Sequence, residues 1–442
     1  MNDFQKKWLE YENEYLNDLK NLIAIPSIRN LGSKCENAPF GMEIRKVFDA
    51  FLSIAKRFGF ETNDYNGYAC DIRYGKPKNK YIGVLGHLDI VGQGNENEWK
   101  TNPFELHIDE NQILYARGVN DDKAPLLACL YVLRIMKEFN ILGDYSIRII
   151  AGGAEETTWE CMKHYFSIEP QPEMGFSPDG NFPIVNGEKG ICQYTILFPK
   201  GDIENDLPTI KKISCTTLKS YVCDDVTIQI DDNIFDYKGI KSLSRNPHRG
   251  KDALKELALN LYKTKFSQSE WNCCFKFFVD CLCSDTNGSA LGIYANDYYM
   301  GETSICPTGL EQTEDGVILY LDIRYPKATT QQIIDNQMRL LSNIYNFNII
   351  ETDTKPLLYV EPEHYLIKTL SKAYQDVTGD KAECITKSGA SYARTLSCAI
   401  AFGATFPDEQ TNPHMPNECM SLETIRKASE IYYNALCNLI KK

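Results

Sequence analysis

The stretch that decides the fold reads Tyr81-Ile82-Gly83-Val84-Leu85-Gly86-His87-Leu88-Asp89. Its first six residues are an apolar run closed by glycine, the pattern of a strand buried on both faces of an α/β sheet. His87 and Asp89 then emerge at the C-terminal end of that strand, the edge where open α/β sheets bind ligands. In extended chain, residues i and i+2 share a face, so Asp89 is positioned to brace the His87 imidazole. A carboxylate behind a histidine is a common support for a metal ligand. Taken alone, a histidine after a strand is more often structural.

The same rhythm continues on either side. Phe4, Trp8, Leu9, Tyr15, Leu16, Leu19 and Leu22 recur at helical spacing and predict a helix over 2–22, ended before Pro26. A second helix fits 42–58 and stops at Gly59. A third fits 124–139, with Pro125 tolerated in its first turn, followed by a strand over 145–151. Near the C-terminus come a helix over 364–377, a strand over 399–402 and a helix over 421–440. Strands alternating with helices predict an α/β domain, a mainly parallel sheet flanked by helices. It is made in two parts, residues 1–188 and 356–442. The intervening residues 189–355 have α+β texture. Strands are expected at 192–198, 226–230 and 317–324, and helices at 253–262 and 330–343. That stretch is expected to be an inserted domain.

With 47 basic and 60 acidic residues the net charge is −13. This argues against a nucleic-acid binder and against docking on anionic lipid. The acidic N-terminal stretch lacks the apolar core of a signal peptide, and no run approaches the ~18 apolar residues of a membrane span. Sixteen cysteines are scattered through the 442 residues with no C-x-x-C pair, which points to reduced thiols and a cytoplasmic protein.

Four further segments carry candidate chemistry. Arg117-Gly118-Val119-Asn120-Asp121-Asp122 precedes a helix, and its aspartates could simply cap it. Glu155-Glu156 follows the 145–151 strand, Ser177-Pro178-Asp179-Gly180 is a good turn sequence, and His414 to Glu418 lies between the last strand and last helix. Each is bland in isolation. Together, in order, strand-end connections present His, Asp, Glu, Asp and His with no compensating basic cluster. Two imidazoles and three carboxylates match two divalent cations sharing one carboxylate. A further, metal-free carboxylate would serve as general base.

On these motifs, together with the stretches at 99–125, 176–190, 321–326 and 401–418, the chain resembles the di-metal peptidase family of aminoacylases, carnosinases and glutamate carboxypeptidases. Within it the likeness is to the PepV-like bacterial dipeptidases. The resemblance implies a catalytic α/β domain with an inserted α+β lid domain. It implies His87, Asp121 and Asp179 as ligands of one metal, and Asp121, Glu156 and His414 as ligands of the other. Asp121 is taken over Asp122 because in the family the aspartate stands four after the arginine of an Arg-Gly pair, here Arg117. Glu155 becomes the general base, Asp89 the residue orienting His87, and Arg324 the holder of the substrate's terminal carboxylate. Gly389 to Ser391 becomes a loop beside the substrate. The two ions are expected to be zinc, with manganese or cobalt as alternatives, the substrate a short peptide and the enzyme a monomer.

One segment departs from the family. Gly239, Pro247, Gly250 and Ala253 keep the frame of a lid histidine, but Leu243 stands at the histidine position. If the segment is extended, Lys241 and Arg245 share a face with Leu243, and one of these cations could take over the missing contact. Thr216 is the nearest equivalent of a lid asparagine. Two other readings remain open: an N-acyl-amino-acid deacylase with the same metals, and a non-catalytic binding protein with an altered lid.

Overall fold

The Tyr81–His87 strand is buried along its whole length, as its unbroken apolar run requires. In the computed structural model, which describes residues 1–76, 80–216 and 220–441, this strand lies inside a mixed sheet. The order is Glu61–Tyr65, Ala69–Tyr74, Ser146–Gly152, Tyr81–His87, Met174–Ser177, Ala399–Ala401 and Ile184–Glu188. The four strands from Ser146–Gly152 to Ala399–Ala401 run parallel, so their C-terminal ends share one edge. The outer pairings are antiparallel. Glu61–Tyr65 and Ala69–Tyr74 are joined by a tight turn through Asn66 and Gly67, both at positive φ, and so short a connection permits only antiparallel pairing.

The Lys123–Glu138 helix is buried on nearly every side and packs between the Asp3–Ile23 and Leu422–Leu439 helices. Asn2 caps the first of these through a reciprocal pair of hydrogen bonds with Gln5. Two strands of the sheet approach closely where Gly83 pairs with Gly175 in register.

The chain divides into two compact units: Met1–Asn186, Val360–Ile385 and Ser391–Lys442 in the first, Gly187–Tyr359 and Thr386–Ala390 in the second. The second unit has a four-stranded antiparallel sheet in the order Ser304–Thr313, Gly316–Tyr325, Gly190–Pro199, Asn348–Lys355. Trp271, Phe275, Phe277 and Phe278 fill its core together with Phe198, Leu319, Ile334 and Met338. The four aromatics come from the Ser269–Cys281 helix, which the sequence pattern does not announce. Tryptophan, phenylalanine and cysteine are weak helix formers, and burial overrides their propensity. Cys274 and Cys281 lie in that core.

Residues Thr386–Ala390, expected with the first unit, belong to the second. Lys387 O accepts from Lys189 N at 2.9 Å and Ser388 O accepts from Arg324 Nη1 at 3.2 Å. No local pattern reveals such long-range bonds. Among the described residues no helix is long and apolar enough to cross a membrane.

A Cβ on Gly175 would stand 2.4 Å from Gly83 O, whereas one on Gly92 would meet nothing within 4 Å. Gly175→Ala is therefore expected to destabilise the protein by about 1–3 kcal/mol, the usual cost of overpacking. Gly92→Ala should be close to neutral, and urea unfolding of both variants checks the contrast.

Candidate metal centre

The shared C-terminal edge of the parallel strands collects the chemistry. His87 ends one strand, Glu155 and Glu156 follow Ser146–Gly152, Asp179 follows Met174–Ser177, and His414 lies in the long connection after Ala399–Ala401. Asp121 stands in the turn before the Lys123–Glu138 helix. Its carboxylate faces both histidines: Oδ1 is 2.8 Å from His87 Nε2, and Oδ2 is 3.0 Å from His414 Nε2. Glu156 Oε2 is 3.1 Å from the same His414 nitrogen, and Asp179 Oδ2 is 3.8 Å from His87 Nε2. Two donor sets result, His87, Asp121 and Asp179, and Asp121, Glu156 and His414, each with its atoms within 4.8 Å of one another. Asp121 belongs to both. All five side chains expected from the sequence as ligands are thus brought together.

The supporting residues have roles that only the fold defines. His87 Nδ1 hydrogen-bonds the backbone carbonyl of Asp89 at 2.9 Å. The Asp89 carboxylate is 3.6 Å from that nitrogen, too far for a good hydrogen bond. It accepts instead from the backbone N–H of Glu155 and of Glu156, both at 3.1 Å. Asp89 therefore braces His87 by its main chain and the two glutamates by its side chain. Asp122 turns away beneath the strand, where its Oδ2 accepts from His87 N at 3.2 Å. Burial raises its carboxyl well above the usual range.

Glu418 has no role assigned by sequence. It is buried and accepts from the backbone N–H of Gly118, Asn120 and Asp121 at 3.1, 2.8 and 3.1 Å. Arg117 Nη1 completes its shell at 2.7 Å. This carboxylate fixes the turn that carries Asp121. Its only sequence signal is a carboxylate four residues after His414, since its partners lie roughly three hundred residues upstream. His414 itself sits at φ 63°, a conformation non-glycine residues adopt only when their surroundings impose it. Asn417 anchors its loop, accepting from Lys100 N and donating to Glu98 O, each at 2.8 Å.

The electrostatics fit a cation. Burial lifts Asp179 to about 7, and the Asp121 carboxylate adds to the shift. Burial likewise raises Glu156, again with Asp121 as the next cause. Desolvation would lower both histidines, but the carboxylates outweigh it: His87 rises well above its ordinary value and His414 to about 11. Crowded carboxylates whose charge is relieved by protons on imidazole form a site that divalent ions satisfy better. The donors are nitrogen and oxygen with no thiolate, a set suited to zinc, manganese or cobalt. His87 is fully buried and the His414 side chain is 55% exposed, so solvent reaches the set from the His414 side.

The other expected residues divide between the units. Arg324 is buried in the second unit, with Nε donating to Asp322 Oδ2 at 3.0 Å. Gly389 is in that unit too, whereas Ser391 opens the first unit's last segment and is buried.

The family model of peptidase family M20/M25/M40 matches residues 83–438, from within the Tyr81–His87 strand into the last helix. The chain belongs to this family. Among its relatives is the "Putative dipeptidase YtjP" of Bacillus subtilis (strain 168), 29% identical over 97% of this chain and 97% of the relative. Among solved structures, the di-peptidase Dug1p from Saccharomyces cerevisiae shares the fold of this M20 chain with a TM-score of 0.63. It is 14% identical and covers 98% of each chain. The YXEP protein of Bacillus subtilis, a dinuclear metal-binding peptidase of the M20 family, superposes with a TM-score of 0.54. It is 11% identical and covers 98% of this chain and 99% of that one.

Because Asp121 serves both sets, Asp121→Ala should abolish binding of both ions, whereas His414→Ala should leave the His87 set able to hold one. Plasma mass spectrometry of dialysed protein should give about two ions per chain for the parent, about one for His414→Ala and near none for Asp121→Ala. The raised histidine values give a sign for pH. Below them the imidazoles carry protons that an incoming cation must displace, so affinity for Mn²⁺ should fall from pH 8 to pH 6. Uptake should release on the order of one proton per ion, readable by calorimetry in buffers of different ionisation enthalpy.

Proposed function

We propose that this M20 peptidase is a metal-dependent dipeptidase, hydrolysing the amide bond of dipeptides or short peptides with a free C-terminal carboxylate. The observation that carries the reading is the Asp121 carboxylate, one oxygen toward His87 and the other toward His414. His87, Asp121 and Asp179 would hold one divalent ion and Asp121, Glu156 and His414 a second, zinc first, with manganese or cobalt as alternatives. Such a pair, when bound, polarises the scissile carbonyl and acidifies the attacking water.

Glu155 is the general base in this reading. Asp89 fixes its backbone N–H at 3.1 Å, and its carbonyl accepts from Trp159 Nε1 at 2.7 Å. Held at both ends, this half-buried residue follows the Ser146–Gly152 strand on the edge where the five candidate ligands gather. Its carboxylate takes a proton from the attacking water and returns it to the nitrogen of the leaving amine. Arg324 offers its guanidinium to the terminal carboxylate of the peptide. The protein is read as a cytoplasmic monomer. That is supported by its acidic charge, its long insertion, and thiols such as Cys129, Cys192 and Cys274 that are buried in apolar cores.

The test is hydrolysis of Ala-Ala, β-Ala-His, Leu-Gly-Gly and N-acetyl-Met with Zn²⁺ or Mn²⁺ and with chelator. Cleavage of the dipeptides that chelator abolishes is expected. Turnover of N-acetyl-Met alone would move the reading to a deacylase. Glu155→Gln should keep its ions and lose about 10²–10⁴-fold in kcat, the usual contribution of a general base.

A further inference from the structure

The segment in which Leu243 replaces the family's histidine is not extended throughout. Leu243 forms an antiparallel bridge with Tyr221. Asn246 N then donates to Leu243 O at 2.8 Å, which turns the chain at Ser244 and Arg245. Lys241 and Arg245 are therefore separated. Lys241 Nζ sits over the Tyr221 ring, 4.5 Å from its centroid. Arg245 is carried instead to Gly389, where a Cβ would stand 3.2 Å from Arg245 Nη1.

Two ties bring Arg245 beside Arg324 within the second unit. Ser244, its chain neighbour, donates Oγ–H to Asp322 Oδ2 at 2.7 Å, the oxygen that also accepts from Arg324 Nε at 3.0 Å. Arg324 Nη1 donates to Ser388 O at 3.2 Å, one residue before the glycine on which Arg245 rests. Two guanidinium groups thus converge on Ser388 and Gly389, and the one carboxylate bonded there, Asp322, is taken by Arg324 and Ser244, which leaves the pair with a net positive charge. The other oxygen of Asp322 is taken by Gln193 Nε2 at 3.2 Å. Among the described residues no carboxylate pairs with Arg245. Partial desolvation, and then the nearby Arg324 charge, draws its pKa down. One further carboxylate would balance the charge and meet the donors left over.

We propose that Arg245 is a specificity-determining residue that joins Arg324 in a two-guanidinium clamp for the C-terminal carboxylate of the peptide. The dipeptidase reading supplies the identity of that carboxylate; the clamp itself rests on the geometry of the second unit. Arg245 fills the place in recognition that a lid histidine leaves open here. Gly389 follows from the same geometry, because a side chain there would press on the guanidinium.

The test uses the metal-loaded full chain and a probe that cannot be hydrolysed, the reduced-amide isostere of Ala-Ala, beside its C-terminal carboxamide. Calorimetry gives the carboxylate-over-carboxamide preference. Kinetics on Ala-Ala and Ala-Ala-amide give KM and kcat. The parent protein should prefer the carboxylate form. Arg245→Ala should cut that preference about tenfold or more, the scale of a charge-assisted hydrogen bond, through KM with kcat little changed. Arg245→Lys should restore part of it, and Lys241→Ala should keep it whole. An unaltered preference in Arg245→Ala, or a fall in kcat with the preference intact, would overturn the proposal. So would a parent protein that binds both isosteres equally or neither. If the preference depends on Arg245 but no dipeptide is cleaved, the clamp stands and the dipeptidase reading fails.

Discussion

A carboxylate placed between two imidazoles governs the first unit. Asp121 cannot reach both His87 and His414 unless its turn is held rigidly, and Glu418 holds it by accepting from three amides of that turn, Gly118, Asn120 and Asp121, while paired with Arg117. That buried carboxylate is itself acceptable only because its oxygens are met by N–H donors and a guanidinium. The parallel strands do the rest. Their common direction brings His87, Glu156, Asp179 and His414 to the same edge as Asp121, although these residues are spread across most of the chain.

Within that arrangement each supporting residue acts on a different atom. Asp89 offers its carbonyl to His87 and its carboxylate to the amides of Glu155 and Glu156, so one residue orients a candidate metal ligand and the glutamate proposed as general base. Asp122 lies under the backbone N–H of His87. Gly86 is required there, since a Cβ would fall 2.2 Å from Asp122 Oδ2. Adjacent aspartates thus have unrelated tasks.

The corner of the second unit around Arg245 and Arg324 has the opposite electrostatic character. The first unit crowds carboxylates until burial and mutual repulsion raise Asp179 and Glu156, a situation that favours cations. In the corner of the second, Arg324 is paired with Asp322 while, among the described residues, no carboxylate pairs with Arg245, a situation that favours an anion. An amide hydrolase acting on a free C-terminus needs both properties. They arise here on separate structural units from residues unrelated in local sequence.

The sequence by itself determined the strand at Tyr81–His87 and the helices around it, and its resemblance to the di-metal peptidases singled out the five residues that the fold gathers into a candidate metal centre. The strand and helices depend on a short-range pattern, an apolar run or a helical period, and His87, Glu156 and Asp179 stand at or shortly after a strand end, whereas Asp121 and His414 lie in longer connections. Choosing Asp121 over its neighbour followed from the resemblance, in which the family's aspartate stands four after an arginine, here Arg117. The Ser269–Cys281 helix escaped because its aromatics and cysteines have weak helical propensity and fold that way only when buried. Tertiary structure decided that Asp89 contacts His87 through its carbonyl, that Glu418 carries the Asp121 turn, and that Arg245 rather than Lys241 meets Arg324. The physical reason is the same in each case. These outcomes depend on hydrogen bonds and charges between segments tens to hundreds of residues apart, and no periodicity along the chain encodes which distant donor a given carboxylate will meet.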